Sequence, residues 1–353
     1  RVAKLAVSLA IAATAMVVVP VQASAAKAQT KSAASKQAKP AAKAPARTTT
    51  RKSTYSATTA RARRAQLAKA RAAAAARAMR DVQTPRFRVD EFGREVPDVR
   101  AEAAIIYDPT TGEVLWENHA QDQRSIASIT KVMTALVFLE SGAALDAPMT
   151  VVRTDVARAS TTYLRSGFKL TASDLLNLLL VGSDNAAARA LARISPYGSQ
   201  GFIAKMNEKA VELGLVNTHY TDPSGLLSDN VSSAYDQARL ISHASADERV
   251  GGIMRKQTYS TQSGKQTITA RSTNQIVRNG DIEVVGGKTG FINRSGYCLA
   301  TLLRLPSTGQ QVAVVVLGAK SNASRFWETR HLFNWMSSRT KALLDGDAQQ
   351  QQN

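Results

Sequence analysis

The stretch VVGGKTGFINRSGYCLA, residues 284 to 300, contains Gly287-Lys288-Thr289, a triplet that can end a phosphate-cradling loop or serve another chemistry. A phosphate loop reads G-x-x-x-x-G-K-[ST] and opens a helix, whose first N–H groups hold the phosphates. Here Ile282 stands where the first glycine belongs. Downstream, Phe291-Ile292 leads into Asn293-Arg294-Ser295-Gly296 and then the apolar run Tyr297 to Leu303, the pattern of strand, turn and strand. The triplet therefore belongs to a hairpin strand, and nucleotide binding is disfavoured.

Working outward, a third strand is expected near 311–318 and a helix over about 322–344. At the other end of the ordered region, AEAAIIYDPTTGEVLWEN (101–118) reads as two strands joined by the turn Pro109-Thr110-Thr111-Gly112. Between them the periodicity is helical. ITKVMTALVFLESG (129–142) repeats apolar residues at Ile129, Val132, Met133, Leu136, Val137 and Leu139 and stops at Ser141-Gly142, which describes a core helix. LTASDLLNLLLVGSDNAAARALARI (170–194) gives a helix capped near Thr171, a break at Gly182 to Asn185, and an Ala-rich second helix. Further helices are expected over 200–213 and 233–244. Strands at both ends around a helical middle predict an α+β domain: one antiparallel sheet carrying a helical subdomain.

The 353 residues carry a net charge of +19, very unevenly distributed. Residues 1 to 80 hold 17 Lys and Arg and no Asp or Glu, whereas 101 to 353 hold 25 basic and 22 acidic residues. The basic excess is a property of the tail. Residues 1–25 have the layout of an export signal: Arg1 and Lys4, an apolar stretch from Leu5 to Val19, Pro20, then Ala-Ser-Ala at 23–25. That stretch is short of the ~20 apolar residues a span needs, and no other segment qualifies. The sole cysteine, Cys298, is too distant to carry a lipid, and alone it excludes an internal disulfide or a multi-cysteine metal site. The expectation is an exported protein of the periplasm or cell envelope, neither a lipoprotein nor stably anchored.

Residues 26–80 are mostly Ala, Lys, Arg, Thr, Ser and Pro, too poor in large apolar side chains to offset their ordering entropy. TARARRAQLAKARAAAAARAMR (59–80) has helix-favouring composition, so a disordered or transiently helical arm is expected. Such an arm suits an anionic envelope polymer; export makes nucleic acid an unsuitable partner. Residues 81–100 read as a linker, 101–345 as the folded domain and 346–353 as a polar tail.

Three short motifs stand in order: Ser128-Ile129-Thr130-Lys131, Ser183-Asp184-Asn185 and Lys288-Thr289-Gly290. S-x-x-K recurs at Ser24, Ser166 and Ser338, and Ser-Asp-Asn recurs at 228–230, so context chooses among them. Only Ser128 opens a long buried helix, and only Ser183 breaks two apolar helices. The ordered set resembles the penicillin-binding protein and class A β-lactamase superfamily. IASITKVMTALV (126–137), YTDPSGL (220–226), STNQIVR (272–278) and GGKTGFINRSGYCLA (286–300) resemble more narrowly the low-molecular-mass D-alanyl-D-alanine peptidases, most closely the endopeptidase type. The resemblance covers about 101–340 and implies a DD-peptidase/β-lactamase-like fold, with peptidoglycan stem peptides and cross-links as substrates and β-lactams as covalent inhibitors.

A serine hydroxyl attacks only when a base takes its proton, and Lys131 lies one helical turn from Ser128. Lysine is a base only when neutral; burial and a second cation such as Lys288 both favour that form. Ser183 can pass the proton to the leaving amine, Asn185 can hold a peptide amide, Lys288 and Thr289 suit a substrate carboxylate, and Gly290 lets the acyl chain approach the backbone. The resemblance implies an oxyanion hole from the N–H groups of Ser128 and Phe291. No cofactor or metal is called for: His119, His219, His243 and His331 are scattered, with no pair at i, i+4.

Two other activities were weighed. A class A-like β-lactamase needs E-x-x-L-N, and Glu212 to Asn217 is one residue too long for it. A D-alanyl-D-alanine carboxypeptidase of the resembling type usually carries a second, strand-rich domain and an amphipathic anchor. With only DGDAQQQQN (345–353) behind the helix that contains RFWETRHLFNWM (325–336), neither is expected, which points to the endopeptidase.

Overall fold

The computed structural model describes residues 57–350, with side chains described from 60 to 345. The expected signal segment 1–25, the arm up to residue 56 and the end of the polar tail lie outside the described residues.

Five strands carry the fold: β1 (Ala103–Tyr107), β2 (Val114–Asn118), β3 (Val284–Ile292), β4 (Gly296–Arg304) and β5 (Gln311–Ala319). They form one antiparallel sheet in the order β3-β4-β5-β1-β2. The early and late strands of the domain meet where β5 pairs with β1, with Val315 opposite Ile105. Period-2 alternation then sorts the side chains onto two cores. Ala103, Ile105, Ala313, Val315 and Leu317 face a helical layer, whereas Ala104, Ile106, Val312, Val314 and Val316 pack with Phe326, Leu332 and Phe333 of the C-terminal helix. Both faces are covered, which explains why β1 and β5 read as continuous apolar runs rather than alternating ones.

Seven helices are labelled: α1 (Ala57–Gln83), α2 (Lys131–Glu140), α3 (Ala172–Val181), α4 (Asn185–Ile194), α5 (Gly198–Glu212), α6 (Ala234–Ala246) and α7 (Asn322–Gln350). In α3, Leu175, Leu176, Leu178, Leu179 and Leu180 are all buried, each contributing about 1.5–3 kcal/mol of transfer free energy. Its start is fixed by Thr171, which accepts from the Asp174 N–H while the Asp174 carboxylate accepts from the Thr171 N–H.

The N-terminal part differs from expectation in two places. Residues 57–83 form a continuous helix, exposed along nearly all its length, as the Ala/Arg composition of 59–80 allows. Residues 81–100 are more than a linker: Phe87–Val89 pairs with Glu95–Pro97, and this hairpin docks on α7. Phe87 meets the His331 ring edge-on at 5.0 Å, and His331 Nε2 lies 2.7 Å from the Arg86 carbonyl. Three-residue strands are too short to show a period, so this hairpin leaves little trace in the sequence. Through the expected polar tail, the backbone of α7 continues to Gln350. Among the described residues no helix is long and apolar enough to cross a membrane.

Candidate functional site

The site lies where β3, one edge of the sheet, meets the helical layer. A 3-10 turn, Ala127–Thr130, runs directly into α2, so Ser128 stands at the helix entrance, half-buried, and Lys131 on the first turn is fully buried. Ala127 and Ser183 adopt left-handed backbone, with φ of 48° and 59°. Such conformations persist in non-glycine residues only where the surroundings enforce them, and they cluster at functional sites.

The enforcing contact at Ala127 comes from the loop Asp222-Pro223-Ser224-Gly225. A Cβ on Gly225 would lie 2.0 Å from the Ala127 carbonyl oxygen, and Gly225 itself has φ +76°. Only glycine allows this approach. The loop is held by Asp222, whose carboxylate accepts from the N–H groups of Ser224, Gly225 and Leu227 and from Asn230 Nδ2 at 2.6 Å. The second Ser-Asp-Asn motif thus has a structural use: its Asn230 is fully buried as part of this clamp.

Lys131 Nζ makes three contacts, to Ser128 Oγ at 2.8 Å, Asn185 Oδ1 at 2.7 Å and the Ser224 carbonyl oxygen at 2.5 Å. Its pKa is lowered to about 7, first by burial, against the opposing pull of Asp222 and Asp184. A neutral amine has two N–H groups and one lone pair. Asn185 Oδ1 and the Ser224 carbonyl can only accept, so they take both N–H groups, and the lone pair is left for the one partner able to donate, the Ser128 hydroxyl.

Ser183 and Lys288 form the opposite wall. Lys288 Nζ donates to Ser183 Oγ at 2.7 Å and to the Thr289 carbonyl at 3.0 Å. Lys288 is 1% exposed, and its pKa lies well below the usual lysine value because of burial, then Lys131, then Arg325. Burial thus favours the neutral form of both lysines. Thr289 Oγ1 donates to Thr273 Oγ1 at 2.6 Å. Asp184 caps α4 through the Ala187 N–H and accepts from Thr162 Oγ1 and the Tyr163 N–H, pinning the 157–168 loop over the site.

All seven expected residues converge here, and three of them already hold contacts within the protein. The Cβ missing from Gly290 would lie 2.5 Å from the Ile126 carbonyl, so this glycine admits the turn that carries Ser128. The Asn185 carboxamide is already engaged, its Oδ1 by Lys131 and its Nδ2 by the Ala159 carbonyl at 2.7 Å. Lys288 is buried and donates to Ser183 Oγ. Phe291, the other expected oxyanion donor, has its ring stacked on Tyr297 at 4.2 Å.

Four contributors were missed. Asp222 and Ser224 lie in YTDPSGL and Thr273 in STNQIVR, so the segments drew attention while the roles did not. Arg325, buried on α7, donates to the carbonyls of Gly290 at 2.9 Å and Cys298 at 3.3 Å, with burial pulling its pKa down to about 10. Glu212, the misaligned β-lactamase glutamate, is an exposed partner of Lys209 at the end of α5.

Comparison with known proteins agrees with this geometry. Residues 90–321 match the model of the family described as D-alanyl-D-alanine carboxypeptidase, peptidase family S11. The D-alanyl-D-alanine endopeptidase of Haemophilus influenzae is 35% identical over 228 residues, 64% of this chain and 78% of that relative. A D-alanyl-D-alanine carboxypeptidase of Bacillus subtilis is 30% identical over 238 residues, 64% of this chain and 59% of that relative. The crystal structure of the Streptomyces K15 DD-transpeptidase superposes with a TM-score of 0.64 at 29% identity, covering 68% of this chain and 97% of that one. With the Ser128–Lys131 pair, the Ser183–Lys288 wall and these matches together, the chain belongs to the D-alanyl-D-alanine carboxypeptidase family S11 and is a serine D-alanyl-D-alanine peptidase of the low-molecular-mass penicillin-binding type.

Proposed function

We propose that this enzyme is a penicillin-sensitive D-alanyl-D-alanine endopeptidase that opens peptide cross-links of peptidoglycan through an acyl-enzyme on Ser128. The observation that carries the mechanism is the three-way bonding of Lys131, which leaves its lone pair to Ser128. In acylation, Lys131 takes the Ser128 proton as Oγ attacks the D-alanyl carbonyl. The oxygen of the tetrahedral intermediate accepts from the N–H groups of Ser128 and Phe291, an arrangement that elsewhere contributes ~10²–10³ in rate per donor. The C–N bond breaks, and the leaving nitrogen receives a proton through the Ser183 hydroxyl, which is bonded to the Lys288 amine. Water then cleaves the ester and restores Ser128. Thr289 and Thr273 present hydroxyls to the leaving half of the substrate, while Asn185 and Gly290 act on the enzyme side, fixing Lys131 and seating β3.

The endopeptidase preference rests on the relatives: the Haemophilus influenzae endopeptidase matches at higher identity, and over more of its length, than the Bacillus subtilis carboxypeptidase. The setting follows from the same reading. An export signal at 1–25 would deliver the protein to the periplasm or envelope, where the basic arm meets an anionic polymer. The basic residues of α1 at 61, 63, 64, 69, 71, 77 and 80 are spread around the helix, with no apolar face for a bilayer surface. The deciding experiment compares rates on a defined dimeric muropeptide and a monomeric pentapeptide. Faster release of monomers from dimer is expected; faster release of D-alanine from the pentapeptide would return the protein to the carboxypeptidases.

A further inference from the structure

A cavity of about 300 Å³ opens where the end of α1, the short helix Gln275–Asn279 and α7 meet. Trp327 forms one side of it, 36% exposed, beside the buried Phe326. The carboxamides of Gln83, Gln275 and Asn334 line the same cavity. None of these three side chains, nor the Trp327 Nε1–H, has a hydrogen-bond partner among the described residues. The charges present cancel: Arg330 donates to both carboxylate oxygens of Asp281, and burial lowers the pKa of His331, which keeps its imidazole neutral at neutral pH. We infer that this cavity is a subsite for a neutral sugar of the glycan strand, an inference that deepens the peptidoglycan reading above and rests on it.

A carboxamide presents donors and an acceptor side by side, and each sugar hydroxyl is likewise both donor and acceptor. Three such groups beside one aromatic face suit a ring with hydroxyls on its rim and C–H groups on its face, the amphipathic shape of a pyranose. Covering the indole with that face also removes apolar surface from water. A charged ligand fits less well. The lining guanidinium already has its acid, so an anionic polymer of the kind suited to basic α1 meets no unpaired Arg or Lys in this lining. Position agrees with the chemistry. Gln275 follows Thr273 by two residues, no more than about 7 Å of chain, and Thr273 is bonded to Thr289 on the leaving-half side of the reaction centre. A cross-link hangs from its glycan strand by a stem of several residues, so a sugar has to be held beside the reaction centre and not in it.

The test uses the full chain and calorimetric titration with the tetramer of N-acetylglucosamine, a neutral stand-in for the strand. Binding is expected, equal at low and high salt, and weakened about tenfold or more in Trp327→Ala, as loss of the apolar area on the indole implies. Asn334→Ala, which changes an exposed side chain, should weaken it as well. Both variants should still be acylated by penicillin at the wild-type rate, which verifies that they are folded and puts the effect outside the reaction centre. A pair of cross-linked peptides, with and without their sugars, supplies a second readout: the wild type should cleave the sugar-bearing one faster, and Trp327→Ala should bring that ratio toward one. No binding by the wild type, binding undiminished in both variants, or binding that salt abolishes, which would mark basic α1 instead, would overturn the subsite. Tighter binding of the cellulose tetramer would assign the cavity to another polysaccharide and overturn it too. Titration needs no catalysis, so these results strike the subsite alone, whereas failure of penicillin to label the wild type at Ser128 strikes the acyl-enzyme reading alone.

Discussion

Lys131 Nζ lies 2.8 Å from Ser128 Oγ while its two other contacts, Asn185 Oδ1 and the Ser224 carbonyl, are groups that can only accept. This asymmetry suits a base rather than a counter-ion, and it leads to the first prediction. Lys131→Arg should lose acylation by ~10²-fold or more, because guanidinium stays protonated and general-base catalysis contributes ~10²–10⁴. Stopped-flow acylation by a chromogenic β-lactam measures it, and a rate near wild type would refute the base role.

The acylation rate should rise with pH through a midpoint at about 7, where Lys131 loses its proton. A flat profile from pH 5 to 9 would contradict this. Stability has a linked dependence. The Lys131 pKa is about 7 in the fold against 10.5 when exposed, so between these values the unfolded chain holds the extra proton and stability rises with pH. Below about pH 7 both states are protonated and the cost of the buried charge is constant. Thermal unfolding of the wild type and Lys131→Met should therefore differ increasingly in favour of the wild type from pH 7 toward pH 10.

Gly225→Ala should destabilise the fold by about 1–3 kcal/mol or more, since its Cβ would lie 2.0 Å from the Ala127 carbonyl and its φ is +76°. Chemical denaturation measures the loss. Near-wild-type stability would mean that the clamp on the nucleophile turn is looser than the geometry indicates.

Removing residues before Val82 should leave activity on small soluble peptides intact while abolishing salt-sensitive retention on isolated cell walls. The ion pair at the cut, Asp81 with Arg100, has an exposed acid and little worth. Equal retention of both proteins at low salt would contradict the tether.

The three motifs were legible because each sits at a change of local structure: Ser128 where a polar segment becomes an apolar helix, Ser183 at a break between helices, Lys288 on a strand bounded by a turn. The antiparallel sheet followed from apolar runs at both ends of the expected domain. What sequence could not carry was contact between backbone groups. The Ser224 carbonyl has no side-chain signature for its bond to Lys131, and Gly290 looked like a concession to substrate because nothing local indicates that Ile126 fills the space. Likewise, the hairpin Thr258–Ser263 with Gln266–Arg271 is so polar that its pairing is decided by packing on α3 rather than by its own pattern.

In the proposed mechanism Ser128 is the nucleophile, activated by Lys131. Its most direct test is peptide mass spectrometry of the protein after brief exposure to penicillin. One adduct, on the peptide containing Ser128 and absent from a folded Ser128→Ala variant, is predicted; an adduct on Ser183 or any other serine, or undiminished labelling of that variant, would contradict it.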